Sequence, residues 1–580
     1  RNDEASNATD VVLRRKTYIF FNFSCSKAGM ARWIHVVTKH PLIRSIRKRR
    51  ANWPSIVVFA AIAAIGVFML NEGRVWGTRR NLLVGSDREM RTFFEAEQTL
   101  DSSTDVDLQL PTIDEEDFFR QMRHDWGKGG DAVHLSDKDK PQADKLFAQA
   151  AFNVFVSDRI PLNRTLPDVR PTHCRTVDYT DIKLPTASVV IIFFDEIFSA
   201  LLRTVVTTIM RSPAHLLKEV ILVDDFSQRP DLKHRLSRFI SHHFRPGLVR
   251  LLRLPKRSGL IVARLAGAQL ATGDVLIFLD SHCEATHGWL EPLLHPIQLD
   301  RRSVVTPVID IIDEVSFQYL HFEEDRFQIG GFLWSGDFAW INMPDAWKTA
   351  RASLAEPVPS PTMAGGLFAI HREYFWESGS YDEQMEGWGG ENLEMSFRIW
   401  QCGGRILVAP CSHVGHIFRS FRPYELPGGK DTASVNIKRA FEVWADEFKE
   451  NLYENSPELL EVDAGDLCAR KWFREQSQCR SFEWYLTNVY PQNYVPKKHS
   501  VAQGNVRNVN TSKCLDTCGT LTRLTVAECG VGDQVAYGQL MSFSKKGELR
   551  SDEVCTSVEW EQNADRELRN RGKVVMTQSV

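Results

Sequence analysis

The run FLDSHCE at residues 278–284 carries an aspartate and a histidine two residues apart. Side chains at that spacing on an extended chain point to the same side. Asp280 and His282 can therefore offer one carboxylate and one imidazole to a single cation. Mixed oxygen and nitrogen donors of this kind suit Mn²⁺. Asp-x-His by itself also describes many ordinary strand ends, so a third donor is needed. The segment PCSHVGH offers His413 and His416, three apart in what reads as a loop after the sheet-like run RILVAP. A second dense stretch is EGWGGENLEMSFRIWQCGG, 386–404. Gly387, Gly389 and Gly390 allow close backbone approach, and Trp388 presents a flat face to a sugar or base. Glu391, Asn392 and Glu394 then open an amphipathic helix. In a first turn such residues serve either as helix caps or as groups lining a cleft.

The surrounding pattern predicts what positions these groups. SVVIIFF (188–194), EVILVDD (219–225), LVRLLRL (248–254) and DVLIFLD (274–280) read as strands, with helices over 201–212, 231–243 and 263–272 between them. Apolar strands alternating with helices imply an α/β fold with a mostly parallel sheet covered on both faces. In such sheets ligands sit beyond the carboxyl ends of strands, where strand order reverses. Asp224, Asp225, Asp280 and His282 fall at such ends. No glycine-rich phosphate loop follows the first strand, so a metal ion is the natural partner of a diphosphate here.

A formal net charge of -3 gives no basic field for nucleic acid, and no nucleic-acid partner is expected. Ser55–Leu70, SIVVFAAIAAIGVFML, is uncharged and preceded by Arg44, Arg47, Lys48, Arg49 and Arg50. With its neighbours it approaches the roughly 20 apolar residues of a membrane span. The basic flank predicts a single-pass type II anchor with the bulk of the chain in the lumen. The expected division is a cytoplasmic tail over 1–53, a transmembrane signal anchor over 54–71 and a polar, acidic, largely disordered stem over 72–150. An oxidising lumen would allow the eleven cysteines to pair. It would also make Asn163-Arg-Thr and Asn510-Thr-Ser glycan acceptors in type.

Taken together, FNVFVSDRIPLNRTLPDVR, ILVDDFS, RSGLIVARLAGAQLATGDVLIFLDSHCE, MAGGLFAIHREYF, GWGGENLEMSFRIWQCGGRILVAPCSHVGHIFR and FEWYLTNVYP resemble the polypeptide N-acetylgalactosaminyltransferases over residues 151–495. The resemblance implies a GT-A (Rossmann-like, nucleotide-sugar-binding) catalytic domain, Mn²⁺ as cofactor, and residence in the Golgi membrane. It also implies retaining transfer of GalNAc from UDP-GalNAc to Ser or Thr hydroxyls of proteins and glycopeptides. It further implies that Asp280, His282 and His416 hold the metal, and that Asp225 and Arg264 serve the donor. Trp388, Glu391, Asn392 and Glu394 would line the sugar and reaction centre, with Arg419 and Tyr424 on a loop that closes over it. Phe338 and Trp340 resemble acceptor-facing aromatics. The disulfides implied are Cys174–Cys411, Cys402–Cys479 and Cys514–Cys529.

The chain departs from the family pattern at several places. Phe194 and Asp195 replace His and Asn of F-H-N-E, and Leu333 replaces Asp of G-G-F-D-W. Arg422 stands where the closing loop often has His, and Val262 replaces the first Arg of R-x-R. These changes keep open a second reading, a weak or inactive member that binds donor or glycoprotein. After His499, KCLDTCG, AECGVGDQ and SDEVC resemble the start of a ricin-type β-trefoil lectin domain, with Asp516 at its sugar-contacting position. A trefoil needs three repeats of about forty residues, each covering its neighbours. Residues 500–580 therefore read as a partial, truncated lectin domain, with Met541 in an aromatic position and no repeat pattern beyond Trp560.

Overall fold

The run Ala187–Phe193 is too apolar to face water on either side, so its strand must lie inside a sheet covered on both faces. In the computed structural model it does. The structure describes residues 115–322, 326–424, 431–517, 524–530, 538–552, 554–560 and 572–578. The expected tail, the anchor and the first part of the stem lie outside these residues. No helix among the described residues is long and apolar enough to cross a membrane.

Strands β1 (Ala187–Phe193), β2 (Leu217–Asp224), β3 (Val249–Arg253) and β4 (Val275–Asp280) pair in parallel, in the order β4-β1-β2-β3. The strand order reverses at β1, between β2 on one side and β4 on the other. Helices Phe198–Met210, His234–His243 and Leu260–Leu270 make the crossovers. Gly267 lets the last of these lie close on the sheet, because a Cβ there would collide with Val190 and crowd Val223.

The other half is mixed rather than parallel. It comprises β5 (Cys283–Ala285), β6 (Ser303–Ile312), β7 (Tyr319–Leu320), β10 (Val358–Pro359), β11 (Phe368–His371) and β12 (Arg405–Ile417). β11 runs antiparallel between β4 and β6, β12 runs parallel to β6, and β10 closes the edge antiparallel. β5 turns back along the far end of β12 and sets Cys283 opposite His416. The segment PCSHVGH is thus strand, not loop, with a register shift between Ala409 and His413. β8 (Gln328–Phe332) and β9 (Phe338–Asn342) form a separate hairpin.

Part of the expected stem is folded. Helices Glu115–Arg120 and Lys140–Ala150 lie within it. Phe118 joins the main core beside Phe198, and Val133 and Ala150 join a second cluster around Phe152 and Phe317. A few apolar residues, widely spaced among polar ones, are enough to dock the segment, and no periodic pattern announces them. All three expected disulfides are formed.

After residue 499, β13 (Ser500–Asn505), β16 (Leu540–Ser544), β17 (Leu549–Ser551), β18 (Val554–Trp560) and β19 (Gly572–Gln578) make an antiparallel sheet. The chain beyond Trp560 therefore contributes a strand where no repeat pattern was legible. The hairpin of β14 (Lys513–Asp516) and β15 (Thr525–Glu528) carries the Cys514–Cys529 bridge.

Glu284 on β5 sits inside this framework beside two arginines. Arg164 Nε lies 3.0 Å and Arg203 Nε 3.7 Å from its carboxylate, and all three side chains are essentially inaccessible. Burial pushes the Glu284 carboxyl up, and the arginines more than reverse this, holding it below its ordinary value. The cluster ties the N-terminal segment and helix Phe198–Met210 to the strand that registers β12. Glu284→Ala would leave two buried guanidinium groups without their counter-charge. We expect a loss of about 3–5 kcal/mol in unfolding free energy by denaturant titration, and a loss under about 1 kcal/mol would contradict this account.

Candidate functional site

The carboxyl end of β4 opens onto a cleft of about 620 Å³, continued toward the ends of β1 and β2 by a narrower pocket of about 90 Å³. Asp280 is the last residue of β4 and His282 lies in the two-residue turn before β5. β12 brings in His416, because its pairing with β5 leaves the two imidazoles 4.8 Å apart. One donor atom from each of Asp280, His282 and His416 lies within 4.8 Å of the other two. His416 Nε2 is 3.3 Å from Asp280 Oδ2.

These donors fit a divalent cation. His282 Nδ1 lies 2.9 Å from Glu196 Oε2, which leaves Nε2 as the ligating nitrogen. Burial, with Arg419 beside it, lowers the His282 pKa and favours the neutral, ligating imidazole. Burial pushes the Asp280 carboxyl up, but His416, Arg264 and His282 hold it well below the ordinary range, so it is ionised. His416 Nδ1 is buried with no hydrogen-bond partner among the described residues. Gly366 adjoins this cluster, and a Cβ there would collide with Asp280 Oδ2.

His413 is excluded as a ligand. Residues three apart on a strand face opposite sides, and its Nδ1 lies 2.9 Å from Asp310 and its Nε2 3.1 Å from the Pro410 carbonyl. Both ring nitrogens are taken.

Glu196 received no role from the sequence and is central here. It follows β1 by three residues, is 5 % exposed, and meets His282 and both contacts of Arg419 Nη2, at 2.8 and 2.7 Å. Burial raises its pKa, but Arg419 and His282 bring it down to about 2. Its signal was the retained Glu at the end of Phe193-Phe194-Asp195-Glu196. Arg257 was also missed. It lines the narrow pocket beside Asp225, with which it is ion-paired. Asp225 also accepts from the Ser258 and Gly259 amides at 2.7 and 2.9 Å. Its carboxylate thereby shapes the wall on which a donor would rest.

The remaining candidates divide. Arg264 is fully buried and reaches toward Asp280 at 3.6 Å and Glu391 at 3.8 Å. Glu391 accepts from the Gly389 amide at 3.0 Å, and Asn392 donates to the Met363 carbonyl at 3.1 Å. Trp388 is 47 % exposed in the cleft, with the Arg422 guanidinium 4.8 Å from its ring. Phe338 and Trp340 pack edge to face at 4.9 Å and line the same cleft. Asp516 lies on the C-terminal hairpin and accepts from Gln539 Nε2 at 3.0 Å.

Glu394 is a correction. Expected beside the donor, it is buried in the core away from the cleft, accepting from Arg398 at 3.1 Å, Arg470 at 2.5 Å and Trp444 Nε1 at 3.1 Å. It lies three positions after Glu391 on the same helix turn, and the tertiary packing decided which of the two faces the cleft.

None of the departures from the family pattern falls on a metal donor, although Phe194 lines the narrow pocket and Arg422 the cleft that the donors share. Asp195 adopts a left-handed backbone (φ 47°), and its carboxylate accepts from the Gln228 and Arg229 amides at 2.6 and 3.0 Å, joining the loops after β1 and β2. Leu333 lies in the β8–β9 turn, its amide donating to the Asp337 carbonyl at 2.9 Å. Val262 is an exposed position on helix Leu260–Leu270.

Comparison with known proteins agrees with this geometry. The family described as Glycosyl transferase family 2 matches residues 188–379, and "N-terminal domain of galactosyltransferase" matches 347–421. Polypeptide N-acetylgalactosaminyltransferase 13 of Homo sapiens is 46% identical over 437 residues, 74% of this chain and 77% of that protein. Polypeptide N-acetylgalactosaminyltransferase 5 of Caenorhabditis elegans is 45% identical over 431 residues, 73% and 68% respectively. A crystal structure of GalNAc-T7 with UDP, GalNAc and Mn2+ superposes with a TM-score of 0.63 at 36% identity, covering 78% of this chain and 82% of that one.

The place of Glu394 yields a prediction. Burial raises its pKa, and Arg398 and Arg470 bring it down to about 2. A carboxyl depressed in the folded state stabilises above its unfolded value of about 4.5, and that contribution is lost as pH falls through about 2. Glu394→Gln is expected to lower the melting temperature at pH 7 and to flatten the fall in stability between pH 4.5 and 2. An unchanged acid limb in the variant would show that the carboxylate is not ion-paired in this way.

Proposed function

The chain belongs to the polypeptide N-acetylgalactosaminyltransferase family, and from that premise we propose that it moves GalNAc from UDP-GalNAc to Ser or Thr hydroxyls of polypeptides, with retention of configuration. The observation that carries this is the convergence of Asp280, His282 and His416 at the carboxyl end of a GT-A sheet. These three residues would hold Mn²⁺, which when bound supplies positive charge to the diphosphate.

The chain's own groups account for the rest. Asp225 and Arg257 line the pocket suited to the nucleoside. Trp388 offers its exposed face to the sugar. Arg264, buried beside Asp280 and Glu391, adds fixed charge at the diphosphate end of the cleft. Glu391 stands where positive charge develops on the anomeric carbon and stabilises it. The acceptor hydroxyl enters past Phe338 and Trp340, attacks from the leaving-group side, and passes its proton to the departing phosphate. Arg419 and Tyr424 cover this region, and their enclosure of the cleft limits attack by water.

The reading of a weak or inactive binder draws on Phe194, Asp195, Leu333 and Arg422. Asp195 and Leu333 are engaged in loop and turn contacts, which favours the active enzyme. The wider proposal is a type II Golgi membrane protein anchored through 54–71, with a lumenal catalytic domain over 151–495. Residues 500–580 would belong to a ricin-type lectin module with Asp516 at its sugar-contacting position.

The test uses the purified protein with UDP-GalNAc, Mn²⁺ and a Thr-rich peptide library, with and without GalNAc already on the peptides. We expect transfer that EDTA abolishes and that Asp280→Ala lowers by at least about a hundredfold. Undiminished transfer by Asp280→Ala would remove the metal-site assignment. Absence of transfer to every peptide would favour the binder.

A further inference from the structure

Three side chains from separate segments meet at the wall of the narrow pocket. Phe194 follows β1, Arg257 precedes helix Leu260–Leu270, and Tyr424 lies beyond β12. The Arg257 guanidinium carbon is 3.6 Å from the Phe194 ring centroid and 5.7 Å from that of Tyr424. The two rings meet edge to face at 5.9 Å. Arg257 is also ion-paired with Asp225, whose carboxylate is itself fixed by the Ser258 and Gly259 amides. A ring on one side and a carboxylate at one edge leave a guanidinium a single plane. The Arg257 side chain keeps 21% exposure, and its Nε is buried with no hydrogen-bond partner among the described residues. Phe194 is one of the positions where this chain departs from its family, carrying a ring that takes no proton and so cannot repel Arg257.

We propose that Phe194 is a donor-positioning residue, stacking on Arg257 so that the remaining guanidinium N–H groups face the nucleotide. This rests on the transferase reading. A cation over a ring, partly removed from water, contributes enough to alter affinity several-fold. A guanidinium held in plane loses less entropy on binding than a free one. An aliphatic side chain at 194 would fill similar space without fixing that plane.

The test is the affinity for UDP by calorimetry in buffer containing Mn²⁺, on the full protein. Phe194→Leu should weaken UDP about tenfold, while Phe194→Tyr, which keeps the ring, should stay within about twofold. Arg257→Lys keeps the charge and loses the plane, and should weaken UDP comparably. The double variant should then bind no more weakly than Arg257→Lys alone. Unchanged affinity in Phe194→Leu, equal losses in the Leu and Tyr variants, or additive losses in the double variant would each overturn the proposal. If Phe194→Leu melts early, Phe194→Met, which also lacks the flat ring, carries the same arm of the cycle with the same expected loss. Binding is read without turnover, so a wild type that binds UDP and transfers nothing would strike the transferase reading alone.

Discussion

The pairing of β5 with β12 is the contact on which the site depends. Asp280 and His282 arrive together at one strand end, but His416 is supplied from elsewhere in the chain, and only the register that sets Cys283 against His416 brings it beside them. A slip of one residue would turn every side chain on that strand to the opposite face. His416 would leave the cleft and its neighbours would enter. The framework spends buried charge to hold this register. Glu284, one residue from Cys283, is locked between Arg164 and Arg203. His413, facing the other way, is locked to Asp310, which also accepts from Tyr319 on β7. Groups that look like spare ligands or acids in the sequence are the fasteners of the strand that carries the third donor.

The same division of labour runs through the carboxylates. Glu391 and Glu394 lie on one helix turn, and one faces the cleft while the other neutralises Arg398 and Arg470 in the core. Glu196 orients His282 and simultaneously holds Arg419. A buried carboxylate that accepts from both an imidazole and a guanidinium fixes the tautomer of the first and the place of the second. The geometry therefore links the metal donors to the segment after β12 through a single side chain.

The departures from the family pattern acquire meanings that residue types do not supply. Asp195 stands in a left-handed turn where Asn or Asp is tolerated, and it bonds backbone amides rather than anything in the cleft. Leu333 occupies a turn whose chain is held by backbone contacts. Phe194 differs from these two, because its ring touches a charged group that lines the pocket.

Periodicity and strand-end chemistry alone determined the parallel half of the sheet, the helices that cross over it, and the Asp280–His282 pair, since these follow from local apolar spacing and from side-chain alternation along a strand. Long motifs added the family, His416 and the disulfide pairing. The sequence was silent wherever the answer lay in which elements touch. It could not choose between His413 and His416 on spacing, turn Glu394 away from the cleft, or give Glu196 and Arg257 their roles. Nor could it show that Phe118 docks part of an acidic segment onto the core. Local spacing fixes the direction of a side chain relative to its own element. Only tertiary packing fixes that element relative to the others, and the identity of a ligand, a fastener or a positioning ring is a property of that second relation.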